Sequence, residues 1–226
     1  MVAAPDSPRQ CGRRGTLGAM ADILILAAHP DLAQSRVTRA LLDAARAAAG
    51  PRLEVRDLYR LYPDYAIDIA AEQRALEAAR LVVLLHPLYW YSMPGLQKLW
   101  FDEVLRFGWA YGPGGEALRG KDLWLAVSMG GSAGSYAAEG HNAHPVEAFL
   151  LPCMQSARLC GMRMLAPWRV HAAHRIDDAA LVLQAREFGE RLRDYPAWCA
   201  PVDVPAQPEV PLDARPALFS HIAGGL

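Results

Sequence analysis

An α/β fold, with a parallel β-sheet covered by helices on both faces, is what this chain predicts, and three observations predict it. Short apolar runs alternate with segments of helical periodicity from Asp22 onward. The first and third runs are apolar throughout from Ile23 to Ala28 and from Leu81 to Leu85, as strands buried on both faces are. Each of these runs ends at a breaker, His29-Pro30 after the first and His86-Pro87 after the third.

Residues 22–28, rich in Ile and Leu, read as the first strand, and 35–49, Ala- and Leu-rich with apolar positions at helical spacing, as the first helix. In 53–58 Leu and Val alternate with charged residues, a second strand. Residues 68–79 form a helix opened by an Asp68 cap, and 80–85 a third strand. Pro94 opens a helix over 94–107 that puts Leu96, Leu99, Trp100 and Val104 on one face. The fourth strand is 121–127. A helix over 145–159 should be kinked or cut short by Pro152. Residues 162–170 give a fifth strand and 177–192 a closing helix. Five strands suit the doubly wound order 2-1-3-4-5, although alternation alone does not choose it.

The expected organisation is an N-terminal extension at 1–21, disordered, one domain at 22–198, and a Pro-rich tail at 199–226 that wraps the surface or is disordered. Met20, directly before the first strand, is the expected native start. The N-terminal residues make a poor secretory signal, and no apolar run is long enough for a membrane span. At 53% hydrophobic and 21% charged residues the chain is not a disordered one. A net charge of -1 gives no reason to expect nucleic-acid or anionic-membrane binding. Cys11, Cys153, Cys160 and Cys199 contain no C-x-x-C pair, so no zinc knuckle or dithiol motif and no metal site is expected. They read as reduced thiols of a cytoplasmic protein.

In an order 2-1-3-4-5 sheet, ligands sit beyond the carboxyl ends of strands 1, 3 and 4. After strand 1, His29 is followed by Ser35, Arg36, Val37 and Thr38, a helix start with two hydroxyls and a guanidinium. It reads either as a phosphate cradle or as an ordinary Ser cap. His29 is either a satisfied strand-end histidine or a donor beside that phosphate. After strand 3 come Leu88, Tyr89, Trp90 and Tyr91, whose three aromatics cannot all be core because successive side chains point apart. They read as a wall for a planar heterocycle or as a helix-docking cluster. After strand 4, Ser128, Met129, Gly130 and Gly131 offer close backbone approach to a ligand, or a surface turn. Three ligand-like loops at one sheet edge favour the binding reading for all three.

The residues that carry a resemblance are now in place: His29-Pro30, the block from His86-Pro-Leu-Tyr-Trp-Tyr-Ser-Met-Pro-Gly to Leu105, Gly108-Trp-Ala-Tyr-Gly, and Gly130-Gly131. Together they resemble the NAD(P)H:quinone oxidoreductase (DT-diaphorase-like) flavodoxin-fold family. Leu61-Tyr-Pro-Asp and Asp68-Ile-Ala-Ala-Glu-Gln are most similar to that family's ancillary flavoproteins of the glutathione-regulated potassium-efflux system. The resemblance runs from about Asp22 to Trp198 and implies a flavodoxin-like sheet and a tightly bound flavin, FMN or alternatively FAD. It also implies NAD(P)H as hydride donor, a quinone as acceptor, ping-pong two-electron transfer and a homodimer.

By position, the resemblance places His29, Ser35, Arg36, Val37 and Thr38 at the flavin phosphate. Leu88, Tyr89, Trp90 and Tyr91 border the isoalloxazine, and Ser128, Met129, Gly130 and Gly131 meet its other edge. Tyr136 and a histidine, His141 with His144 as competitor, would face the substrate as hydrogen-bond donors. Tyr89 stands where the family usually has Gln, and Ser128-Met129 where it has Thr-Thr. The alternative reading is a regulatory ancillary subunit of a potassium-efflux antiporter, cytoplasmic and peripheral to the inner membrane through that partner. A one-electron flavodoxin fits less well, because the chain is not strongly acidic and lacks a T-x-T-G-x-T loop. In the Gly-rich loop 108–120, Trp109 and Tyr111 are expected to be exposed rings that a dimer interface covers.

Overall fold

The computed structural model describes residues 21–199. The readings for 1–20 and for the tail from 200 onward lie outside the described residues. Chain order is β1 (Ile23–Ala27), α1 (Arg36–Ala49), β2 (Leu53–Asp57), α2 (Leu58–Leu61), α3 (Ile69–Ala78), β3 (Leu81–Pro87), α4 (Gly95–Val104), β4 (Asp122–Ser128), α5 (Val146–Leu159), β5 (Arg163–Met164), β6 (Trp168–Val170) and α6 (Asp178–Arg193). All strand pairs are parallel, in the order β2-β1-β3-β4-β5, and β6 pairs with β4 beyond β5. β5 and β6 are two pieces of one fifth strand, so the order is the flavodoxin-like 2-1-3-4-5.

The strands' two-residue period divides the core into two layers. Ile23, Ile25, Leu81, Val83 and Trp124 face α1 and α6, where Leu41, Phe188 and Leu192 meet them. Leu24, Leu26, Val82, Leu84 and Leu125 face the other way, onto Leu76 of α3, Trp100 of α4 and Leu150 of α5. Helix starts lie where short polar side chains cap them. Ser35, Asp68 and Asp177 accept the N–H groups of Thr38, Ala71 and Ala180, each cap contributing about 1 kcal/mol.

Four features differ from the sequence reading. The fifth strand breaks at Leu165–Pro167 because Pro167 has no N–H for the ladder and Trp124 Nε1 takes the Ala166 carbonyl at 2.9 Å. α5 runs unbroken through Pro152, its buried stripe of Val146, Leu150, Cys153 and Ala157 holding it to the sheet. An extra turn of helix, α2, follows β2 directly on an Asp57 cap. Trp109 and Tyr111 are not bare: both pack on this chain's own core, and Trp109 Nε1 donates to Glu77 Oε1 at 3.0 Å. The exposed ring there is Phe107, so the stated reason for an interface at those two rings falls.

Candidate functional site

The register aligns Ala27 with Leu85, Pro87 with Ser128, and Ser128 with Val170. The loops after β1, β3, β4 and β6 therefore leave from one edge of the sheet. β1 is flanked by β2 on one side and β3 on the other, the switch point at which such sheets open a crevice.

At the first loop, Ser35 Oγ accepts the Thr38 N–H at 3.1 Å, and the N–H groups of Arg36 and Val37 belong to a first turn with no intrahelical acceptor. Both hydroxyl residues are buried, and Thr38 Oγ1 has no partner among the described residues. The side chain of Val37 is core, so only its backbone can serve a ligand. The Arg36 guanidinium reaches across to α6, donating to the Ile176 carbonyl at 3.0 Å and to Asp178 Oδ1 at 2.7 Å. His29 Nδ1 accepts the Asp31 N–H at 3.1 Å, which leaves the proton on Nε2, 3.3 Å from the Tyr89 hydroxyl. Burial holds the His29 imidazole below its usual pKa, against the pull of Asp31.

The second loop is a tight turn in which the N–H and carbonyl groups of Tyr89 and Ser92 bond each other, both at 3.0 Å. Trp90 and Tyr91 sit at its tip with φ of 49° and 63°, a left-handed conformation costly for large side chains and typical of functional loops. Trp90 is 94% exposed. Leu88 lies partly buried against the core, its N–H donating to the Ser128 carbonyl at 2.8 Å. Tyr91 stacks on Phe149 at 5.1 Å and donates to Asn142 Oδ1 at 3.3 Å, tying this loop to the one after β4.

In the third loop the side chains of Ser128 and Met129 are buried, so this loop presents backbone. A Cβ on Gly131 would come within 2.9 Å of the Tyr136 ring, and one on Gly130 within 3.3 Å of His174. Gly131 is thus required by the ring that folds over it. Tyr136 lies edge-on to Phe149 at 5.9 Å and beside His171 at 5.8 Å. Burial, with Tyr91 nearby, raises the Tyr136 pKa. Burial first and Arg169 second lower that of His171.

The imidazole beside Tyr136 is therefore His171, from the loop after β6. His144 lies edge-on to Phe149 instead, at 6.2 Å, and His141 is exposed. Sequence reading took its histidines from the same loop as Tyr136. The signal for His171 was its place directly after Val170, at the end of the fifth strand. Tyr136, Glu147, Arg169, His171 and Gln184 line a cleft of about 490 Å³. Buried polar atoms without a partner among the described residues occur repeatedly at this edge: Thr38 Oγ1, His86 Nε2 at the end of β3, the Gln97 amide in the first turn of α4, and His171 Nδ1.

Comparison with known proteins agrees with this geometry. Residues 21–192 match the model of a family described as having the flavodoxin-like fold. The glutathione-regulated potassium-efflux system ancillary protein KefF of Citrobacter koseri is 46% identical over 171 residues, 75% of this chain and 94% of that protein. General stress protein 14 of Treponema denticola, solved in complex with FMN, superposes with a TM-score of 0.71 at 38% identity, covering 76% of this chain and 97% of that one. An NADPH-quinone reductase from P. pentosaceus does so with a TM-score of 0.69 at 26% identity, covering 76% and 97%. The match spans most of the chain and every loop that builds the crevice, and the chain belongs to this flavodoxin-like family.

Proposed function

We propose that this protein is an FMN-dependent NAD(P)H:quinone oxidoreductase working by ping-pong two-electron transfer. One observation carries the reading: a hydroxyl-lined helix start, a strained aromatic turn and a Tyr–His pair meet at a single sheet edge. The residues suit a phosphorylated flavin. The first turn of α1 offers free N–H groups and the positive end of a helix to a phosphate, and Thr38 Oγ1 is a buried polar atom that lacks a partner among the described residues. The FMN held by the Treponema denticola protein supports FMN over FAD.

Bound flavin supplies a two-electron carrier that takes hydride from NAD(P)H and passes it to a quinone. The chain's part is positional and electrostatic. Ser35, Thr38 and the N–H groups of Arg36 and Val37 would hold the phosphate, and His29 could join them only by giving up Tyr89. Leu88, Tyr89, Trp90 and Tyr91 would flank the ring system. The backbone of Gly130 and Gly131 would donate to its polar edge. The raised pKa of Tyr136 keeps its hydroxyl protonated at neutral pH, able to donate to the acceptor's oxygen as negative charge develops there.

The identity to KefF favours a second role beside catalysis, as a cytoplasmic ancillary subunit of a glutathione-gated potassium-efflux antiporter. We also retain a homodimer, for which light scattering reads the mass directly.

Visible absorption of the purified protein, with chromatography of the released flavin, tests the cofactor. A colourless protein that takes up no FMN would end the reading. Stopped-flow reoxidation by a quinone tests the donors: Tyr136→Phe and His171→Ala should each slow it about tenfold, the loss of roughly 1.4 kcal/mol, with flavin content intact. His141→Ala and His144→Ala are the comparators. If the large loss fell on either of these instead, the donor would move there, and no loss in any variant would reject donor catalysis.

A further inference from the structure

The starts of α1 and α6 lie side by side at the crevice, and the packing of the two helices fixes the distance between them. A Cβ on Gly189 of α6 would come within 2.9 Å of the Ala44 carbonyl oxygen of α1 and 3.2 Å of the Ala48 side chain, so the helices touch backbone to backbone. Leu41 and Ala45 of α1 share one buried cluster with Ala185 and Phe188 of α6. The loop 171–177 that leads into α6 is pinned as well, because the N–H groups of Ala172 and Ala173 donate to the carbonyls of Gly131 and Met129, both at 2.9 Å. Across the gap that remains runs one side chain. Arg36, the first residue of α1, donates from its guanidinium to the Ile176 carbonyl at 3.0 Å and to Asp178 Oδ1 at 2.7 Å.

We propose, resting on the flavin reading above, that this Arg36 bridge makes the site specific for a mononucleotide flavin. FMN ends at its phosphate. FAD continues from that same phosphate into a second phosphate and an adenosine. With the phosphate on the N–H groups at the start of α1, the continuing chain has to leave from an oxygen that the helix does not hold, beside the residue that opens the helix. That residue is Arg36, whose side chain closes the way between α1 and α6. Because the helices and the loop behind it are fixed, the gap cannot widen to let the tail pass while the bridge stands.

Charge acts in the same direction. The guanidinium is already engaged by Asp178 and the Ile176 carbonyl, so it is no free cation for a second phosphate. Beyond it stands the Asp178 carboxylate, 94% exposed, next to Asp177, which caps α6 through the Ala180 N–H at 2.8 Å. Two carboxylates at the start of α6 oppose a further anionic group there.

A competition for the site tests the assignment by its contents and not by turnover. The purified full chain is incubated with equal excesses of riboflavin, FMN and FAD, freed of unbound flavin, and the retained flavin is identified by chromatography. The native protein should hold FMN over FAD by about tenfold or more. Arg36→Ala, which keeps the backbone N–H, should bring that ratio close to one by raising FAD, with FMN unchanged relative to riboflavin. Asp178→Ala lies on the exposed rim and leaves the Ile176 carbonyl to the guanidinium, so it should lower the ratio by about threefold; it decides the matter should Arg36→Ala fold poorly. A native protein that takes FMN and FAD equally, or an unchanged ratio in the variants, would overturn the proposal and leave the flavin reading standing. Loss of FMN relative to riboflavin in Arg36→Ala, with FAD still low, would assign the guanidinium to the phosphate itself and overturn it too. Retention of no flavin at all would end both.

Discussion

Acid should destabilise this protein through one buried histidine. His86 ends β3 in full burial, with Nδ1 2.9 Å from the Pro87 carbonyl. A carbonyl only accepts, so Nδ1 carries the proton and Nε2 keeps a lone pair, which has no partner among the described residues. Protonating Nε2 would create a cation there with no acceptor, and burial lowers the pKa from 6.5 to about 4. The unfolded chain therefore binds the proton first. Stability is unaffected well above pH 6.5, falls as pH drops below it, and levels off below about pH 4. At 1.36 kcal/mol per pH unit, the loss amounts to about 2 kcal/mol between pH 7 and pH 5 and about 3 kcal/mol by pH 4. The assay is urea unfolding at a series of pH values, comparing the native sequence with His86→Asn, which keeps an N–H for the Pro87 carbonyl and does not titrate. His29 and His171, also held below their usual pKa by burial, titrate in both proteins and cancel in the difference. Both proteins must carry the same flavin load, since a bound ligand stabilises by mass action. Stability curves that stay parallel from pH 7 to pH 4.5 would refute the reasoning.

Ser35→Glu should yield folded protein largely free of flavin, because a carboxylate would occupy the phosphate site proposed at the start of α1; full retention of colour would move the phosphate to another loop. Glu72→Gln should cost about 3 kcal/mol in urea unfolding at pH 7. Glu72 is fully buried, paired with Arg56 at 2.6 Å and accepting from Trp100 Nε1 at 2.9 Å, with Tyr62 bonded to the same carboxylate, so the change leaves the Arg56 cation only its more exposed partner Glu54, at 3.1 Å. A loss below about 1 kcal/mol would mean that Glu54 and solvent suffice for that cation.

The fold was legible because each signal that defines it is local. Ser35, Asp68 and Asp177 announce helix starts in the sequence and cap them in the structure. Unbroken apolar runs at 23–27 and 81–85, too short for helices and followed by His-Pro, read as strands covered on both faces. Where tertiary packing decides, reading the sequence alone fell short. Pro152 is a helix breaker by propensity, yet one buried stripe on α5 outweighs the missing hydrogen bond. Trp109 and Tyr111 look exposed in a Gly-rich stretch, and only the folded chain shows Glu77 and the core waiting for them.

The site divides along the same line. Tyr89, Trp90 and Tyr91 could be assigned to a surface because three successive rings cannot share one direction, and Trp90 does stand almost fully exposed at φ 49°. The roles of Gly131 and His171 are non-local. Paired glycines suggest room for a ligand, but at Gly131 that room is taken by the Tyr136 ring, so the residue shapes the site from within. A histidine next to Tyr136 in sequence is displaced by one that reaches it through the sheet, because parallel order brings the end of β6 beside the end of β4. In a fold of this kind every strand end contributes to one crevice, whatever its place in the chain. A histidine just past the fifth strand therefore has the same claim on the substrate as one just past the fourth. Between such candidates, burial decides. Burial lowers the pKa of the half-buried His171, and its buried Nδ1 has no partner among the described residues, whereas His141 is exposed to water. A half-buried imidazole beside the Tyr136 ring, with its Nδ1 shielded from water, is the better placed to support a reaction at Tyr136.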